Sequence, residues 1–122
     1  MRYLLLIYGD EKATAATPPE ELEVSRKAWM DYDGWLREQG WRRAGDALQE
    51  TSTATTVREK GGTIVTTDGP FAETKEQLGG YYLIECEDLD DAIQAASRMP
   101  TMGRGSVEIR PVRDVGMRNE PS

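Results

Sequence analysis

Two hydrophobic periods alternate along the chain, and their order predicts the architecture. From Arg2 to Tyr8 apolar side chains occupy both faces, with Tyr3, Leu5 and Ile7 on one and Leu4, Leu6 and Tyr8 on the other. Such a strand belongs in the middle of a sheet and should be covered on both sides. Gly9-Asp10 ends it. The period then becomes helical: Leu22, Trp29, Tyr32 and Leu36 share one stripe, which Val24, Ala28 and Trp35 widen. Thr17 is placed to cap this helix, with Pro18 at its first position and Glu20-Glu21 in its first turn. Gly40 supplies the stop, so the helix is expected over about 18–39. Trp41 to Leu48 reads as an irregular strand.

Thr53 to Glu59 and Thr63 to Asp68 are β-rich runs around Lys60-Gly61-Gly62. The glycine pair supplies the positive φ angles of a tight hairpin. A strand over 80–87 follows, placing Tyr82, Ile84 and Cys86 on one face and Tyr81, Leu83 and Glu85 on the other. Asp88 is expected to cap a second helix with Asp90 and Asp91 in its first turn and Leu89, Ala92, Ile93 and Ala96 on its buried face. Gly105 to Val112 forms the last strand. The domain is expected over 1–113, with a flexible C-terminal tail over 114–122.

Strand, long helix, hairpin, strand, short helix and strand in that order suit an α+β ferredoxin-like sandwich. Its antiparallel sheet would carry both helices on one face. Leu4 or Leu5, Tyr81, Leu83 and one face of the last strand would then meet water. A second copy packed sheet to sheet covers them, so a homodimer is expected.

Composition narrows the function. At 122 residues the chain is long enough for one core, and a hydrophobic share of 38% makes that core thin for a lone subunit. With 22 acidic against 15 basic residues, the net charge is −7. A nucleic-acid duplex would be repelled. No run approaches a membrane span, and a soluble, cytoplasmic protein is the default. Cys86 is the single cysteine, placed in an apolar strand as a reduced core thiol. There is no histidine, which removes His-containing metal sites and the usual proton carrier near neutral pH. No metal and no cofactor is expected.

The most heavily loaded segment is Thr67 to Tyr82, a long connection with a proline turn, several charges and two tyrosines. Pro70 should push Gly69 towards an extended conformation, and Asp68 is placed to bind amides of the turn. The alternative for Asp68 is a polar anchor or proton acceptor facing a cleft. Phe71 is expected to plug the loop onto the core, with ligand stacking as its alternative. Glu73, Lys75 and Glu76 read as solvated charges near a short helical turn, and Thr74 with Gln77 as a small capping element. Gly79-Gly80 suits a bulge entering the strand. Tyr81 and Tyr82 point to opposite faces, so one of them is free to offer a phenol to a pocket or interface.

Asp68-Gly69-Pro70-Phe71, followed by Ala72-Glu73-Thr74-Lys75-Glu76-Gln77-Leu78-Gly79-Gly80, resembles the hallmark segment of the YCII-related (DGPF-domain) proteins. The opening Met1 to Asp10 and the closing Ser106 to Val112 are similar to the family's first and last strands. The resemblance implies a ferredoxin-like fold that dimerises through its sheets as an α/β barrel. Members of the wider superfamily include small isomerases, monooxygenases and dehalogenase-like enzymes, some with a His–Asp pair that this histidine-free chain lacks. DGPF relatives also occur beside sigma factors, which implies a regulatory setting.

Three readings follow. In the first, a homodimeric module binds a small molecule between the sheet and the 68–80 loop, using Arg58, Asp68, Phe71, Tyr81 and Tyr82, with Arg58 pairing an anionic ligand. In the second, a cofactor-independent isomerase- or lyase-like enzyme uses Asp68 as acid/base, which requires burial of that carboxylate. In the third, the chain is a protein-interaction domain, with a sigma factor as partner.

Overall fold

The structure, a computed structural model, describes residues 1–116; most of the tail expected over 114–122 lies outside the described residues. Strands β1 (Arg2–Gly9), β2 (Arg42–Ala47), β5 (Gln77–Glu85) and β6 (Gly105–Pro111) form an antiparallel sheet in the order β2-β5-β1-β6. Strands β3 (Thr55–Lys60) and β4 (Thr63–Asp68) form a separate hairpin. Helices α2 (Pro19–Glu38) and α3 (Leu89–Ser97) pack on one face of the larger sheet. The arrangement is α+β and consistent with a ferredoxin-like fold, with the hairpin inserted between β2 and β5.

The alternation read from β1 is what builds the core. Tyr3 and Leu5 face the helices beside Ile84 and Cys86, and they meet Tyr32 and Leu36 of α2 and Ala92, Ala95 and Met99 of α3. The Tyr32 hydroxyl donates to the Ala95 carbonyl at 2.8 Å, joining the two helices inside the core. Burial pushes the Cys86 thiol up in pKa, as suits an unreactive core thiol. β1 is central in the sheet, but only one of its faces is covered by helices.

Several local expectations are corrected. A third, short helix, α1 (Glu11–Ala15), follows β1 directly, with Asp10 accepting from the Lys12 and Ala13 amides as its cap. Thr17 closes this helix rather than opening the next, its hydroxyl donating to the Ala13 carbonyl. α2 starts instead from Pro18, without a side-chain cap. It reaches the core from Trp29 onward, so Leu22 and Val24 are exposed. On α3 the buried face is Ala92, Ala95 and Ala96, while Leu89 and Ile93 face outward. Small side chains on the inner face let this helix lie close against the sheet.

The Gly61-Gly62 turn has φ angles of 56° and 83°, as the hairpin requires. Gly69 has φ 95°, a conformation open to glycine, in place of the extended one expected before proline. Its amide donates to the Ala54 carbonyl at 2.6 Å, so Asp68 is not what satisfies the turn. Residues 69–76 contain no helical turn; Gln77 begins β5, and its side-chain amide donates to the Thr74 carbonyl.

Candidate functional site

Small residues on the helix side of β2 and β5 carve a hollow at one end of the sheet. Gly45 lies opposite Tyr82, and Ala47 lies opposite Gly80. With only small side chains at Gly45, Ala47 and Gly80, the floor drops beside Trp29 of α2. The resulting cavity has a volume of about 450 Å³ and is walled by Trp29, Ile7, Leu48 and the α1 residues Glu11 and Thr14. That is within the usual range for small-molecule sites.

The floor is fixed by close backbone approach. A Cβ on Gly45 would stand 2.7 Å from the Tyr82 ring, and one on Gly80 would stand 2.9 Å from the Asp46 carbonyl. Gly79 is the extra residue of a bulge, skipped where Ile7 pairs with Gly80 and Tyr8 with Leu78. Its carbonyl accepts from the Leu48 amide at 2.9 Å, holding the rim of β2 to β5.

Polar bonds close the walls. The Glu11 carboxylate accepts from the Thr51 amide at 2.8 Å and the Thr51 hydroxyl at 2.9 Å. Gln77 accepts from the Glu11 amide at 3.0 Å. Together these bonds clamp α1 to the segment after β2 and to the start of β5. Trp29 is set by an edge-to-face contact with Tyr32, 5.8 Å between centroids.

Tyr81 and Tyr82 divide as the alternation requires. The Tyr82 hydroxyl reaches towards α2 and donates to Asp33 at 3.1 Å, while the Tyr81 hydroxyl donates to Asp46 at 2.7 Å. Burial, followed by the charge of Asp33 and the bond to it, pushes the Tyr82 phenol up to about 12. The bond to Asp46 raises that of Tyr81. Burial works against ionisation of Asp33. Hydrogen bonds from Arg37, Arg42 and Tyr82 outweigh it and hold that carboxyl below its usual range.

Of the five residues proposed from the sequence, Tyr81 and Tyr82 line this cavity; Arg58, Asp68 and Phe71 do not. Arg58 donates to the Phe71 carbonyl at 3.2 Å on the outside of the hairpin. Phe71 is 78% exposed and does not plug onto the core. Asp68 ends β4 in an exposed position, so within a single chain it lacks the burial a catalytic aspartate needs. The sequence alone does not mark Trp29, Gly45, Ala47 or Glu11 as site residues: Trp29 falls on the core-facing helical stripe, and nothing local marks Gly45 as part of a floor. Among the described residues, no group of three or more Cys, Asp or Glu side chains is placed to hold a metal. No described helix is long and apolar enough to cross a membrane.

Comparison with known proteins identifies the family. The chain is 39% identical over 114 residues to a protein of Rhizobium meliloti (strain 1021) named as uncharacterized protein R00369, with 92% of each chain covered. The YCII-related domain matches residues 1–116. This chain therefore belongs to the YCII-related family.

Proposed function

We propose that this protein is a homodimeric module that binds a small molecule in the cavity between Trp29 and the end of the sheet. The observation that carries this reading is the floor of Gly45, Ala47 and Gly80, which keeps about 450 Å³ open beneath an aromatic wall. Close-packed interiors do not ordinarily leave such a volume unused. Self-association is supported by the face of the sheet without helices. Leu4, Leu6, Tyr8, Tyr81 and Leu83 project from it together, as the strand register requires. Two such faces packed together would make an α/β barrel.

The hairpin adds to this support. Val57 is 61% exposed and Ile64 is 65% exposed, and an isolated two-stranded hairpin is marginal in water. The same exposure favours a second reading, in which the hairpin docks another protein such as a sigma factor.

A thermal-shift screen of metabolites against wild type and Ala47→Phe tests the cavity. Compounds that stabilise wild type should lose their effect in the variant, whose new ring fills the floor. Shifts that survive the substitution unchanged would move the site elsewhere. Sedimentation velocity tests the dimer: a monomer at micromolar concentration would contradict it. A pull-down in which a sigma factor is retained only while Val57 and Ile64 are intact would favour the second reading.

A further inference from the structure

We propose that the cavity takes an uncharged aromatic molecule, whose ring lies against Trp29 and Tyr82. This inference rests on the small-molecule reading of the same cavity and adds the class of ligand.

The polar groups around the hollow are already committed or turned away. The Glu11 carboxylate accepts from the Thr51 amide and hydroxyl. The Gln77 side chain is held at both ends, accepting from the Glu11 amide and donating to the Thr74 carbonyl. Asp46 and Tyr81 are bonded to each other on the helix-free face of the sheet. The Tyr82 hydroxyl donates to Asp33, and the Thr14 hydroxyl to the Asp10 carbonyl. Glu50 is exposed to solvent. Among the described residues, no lysine or arginine lines the hollow. An anion would therefore meet no counter-charge there, and a cation would meet no uncommitted carboxylate within the hollow. A charge taken out of water without a partner is costly, so the lining favours a neutral guest.

What remains to meet that guest is hydrocarbon and ring. Ile7, Leu48 and Ala47 supply the aliphatic part. Trp29 and Tyr82 supply two rings, and both rest edge-to-face on a third: Tyr32 lies 5.8 Å from Trp29 and 5.6 Å from Tyr82 between centroids. Tyr32 is itself buried and tied to the Ala95 carbonyl. The two lining rings are thus positioned before a guest arrives, and little ordering opposes binding. Each ring pair formed with an aromatic guest adds roughly two- to tenfold in affinity beyond the area it buries.

Acetophenone, benzoate, benzamidinium and cyclohexyl methyl ketone are matched in size and differ in charge or in ring. Each is titrated at pH 7 while two-dimensional amide and indole NMR spectra are recorded. Acetophenone should bind at least about tenfold tighter than benzoate or benzamidinium. It should bind at least about threefold tighter than the cyclohexyl ketone. Its largest shifts should fall on the Gly45, Ala47 and Gly80 amides and the Trp29 indole N–H. Trp29→Leu should shrink the advantage over the cyclohexyl ketone and leave the advantage over the two ions. The inference is overturned if either ion or the cyclohexyl ketone binds as tightly as acetophenone, if Trp29→Leu leaves the aromatic advantage unchanged, or if acetophenone does not bind. Ala47→Phe separates the class of ligand from the cavity. Binding of an ion or of the cyclohexyl ketone that matches acetophenone and is abolished by this variant leaves the cavity standing and removes the proposed class. Acetophenone binding that it leaves untouched removes the cavity itself.

Discussion

Adjacent glycines in β5 make a matched pair for testing how the cavity floor is built. Gly80 is buried, and a Cβ there would lie 2.9 Å from the Asp46 carbonyl oxygen and 3.4 Å from the Ala47 Cα. Both are backbone atoms of the paired strand, so neither can swing aside. Gly79, one residue earlier, is exposed and outside the ladder; a Cβ there would meet only the Ile7 carbonyl, at 3.9 Å. Neither glycine has a positive φ, so alanine is strained at neither by its backbone angle. Overpacking of this kind costs about 1–3 kcal/mol. Gly→Ala returns about 0.4–1 kcal/mol by restricting the unfolded chain. Gly80→Ala should therefore destabilise by about 1–2 kcal/mol net, a fall in Tm of roughly 3–10 °C for a domain of this length. Gly79→Ala should be neutral or raise Tm by a few degrees, up to about 4 °C. Circular-dichroism melts at one fixed protomer concentration measure both, since self-association makes Tm depend on concentration. Equal Tm values for the two variants would refute the claim that β2 and β5 close on each other at Gly80.

Other consequences follow from the buried phenols. Tyr32→Phe keeps the ring and leaves the Ala95 carbonyl without the hydroxyl that reaches it, so urea denaturation should show a loss of about 1–3 kcal/mol at unchanged m-value. A loss below about 0.5 kcal/mol would mean that water replaces the bond. Burial raises the pKa of Tyr32 and takes that of Tyr82 to about 12, against an ordinary value of 10.0. Because the folded-state values are the higher ones, stability is fully present below pH 10 and falls as the unfolded chain loses protons above it. Tm measured from pH 8 to 11.5 should bend downward near 10, and Tyr32→Phe should flatten the bend. A wild-type Tm that stays level to pH 11.5 would contradict this. At the acid end, Asp33 acts in the opposite sense. Its depressed folded value makes stability present above the ordinary 3.8 and lost as pH falls below it, and Asp33→Asn should shallow that loss in an acid titration.

The larger elements were legible because each rests on a periodic pattern that burial enforces. The two faces of β1, the split of Tyr81 from Tyr82 and the Asp88 cap all follow from local chemistry, and the structure has them as read. Helix α1 carried its own signal, since Asp10 precedes Glu11 as a cap with an acid in the first turn. That signal was masked by the attraction of Thr17 and two prolines as the start of α2. Phe71 failed as a core residue because apolar character does not say whether a loop folds back. The cavity was the least legible feature. Its floor comes from Gly45, Ala47 and Gly80, whose significance is that they face one another across β2 and β5, and only register reveals that.

The most direct measurement of the central claim is a two-dimensional amide and indole NMR spectrum, recorded while the strongest compound from the thermal-shift screen is titrated in. Occupation of the cavity predicts that the largest shifts fall on the amides of Gly45, Ala47, Gly79 and Gly80 and on the Trp29 indole N–H. Shifts confined to the hairpin residues 55–68, or a spectrum that does not move, would show that the hollow beneath α2 is not a binding site.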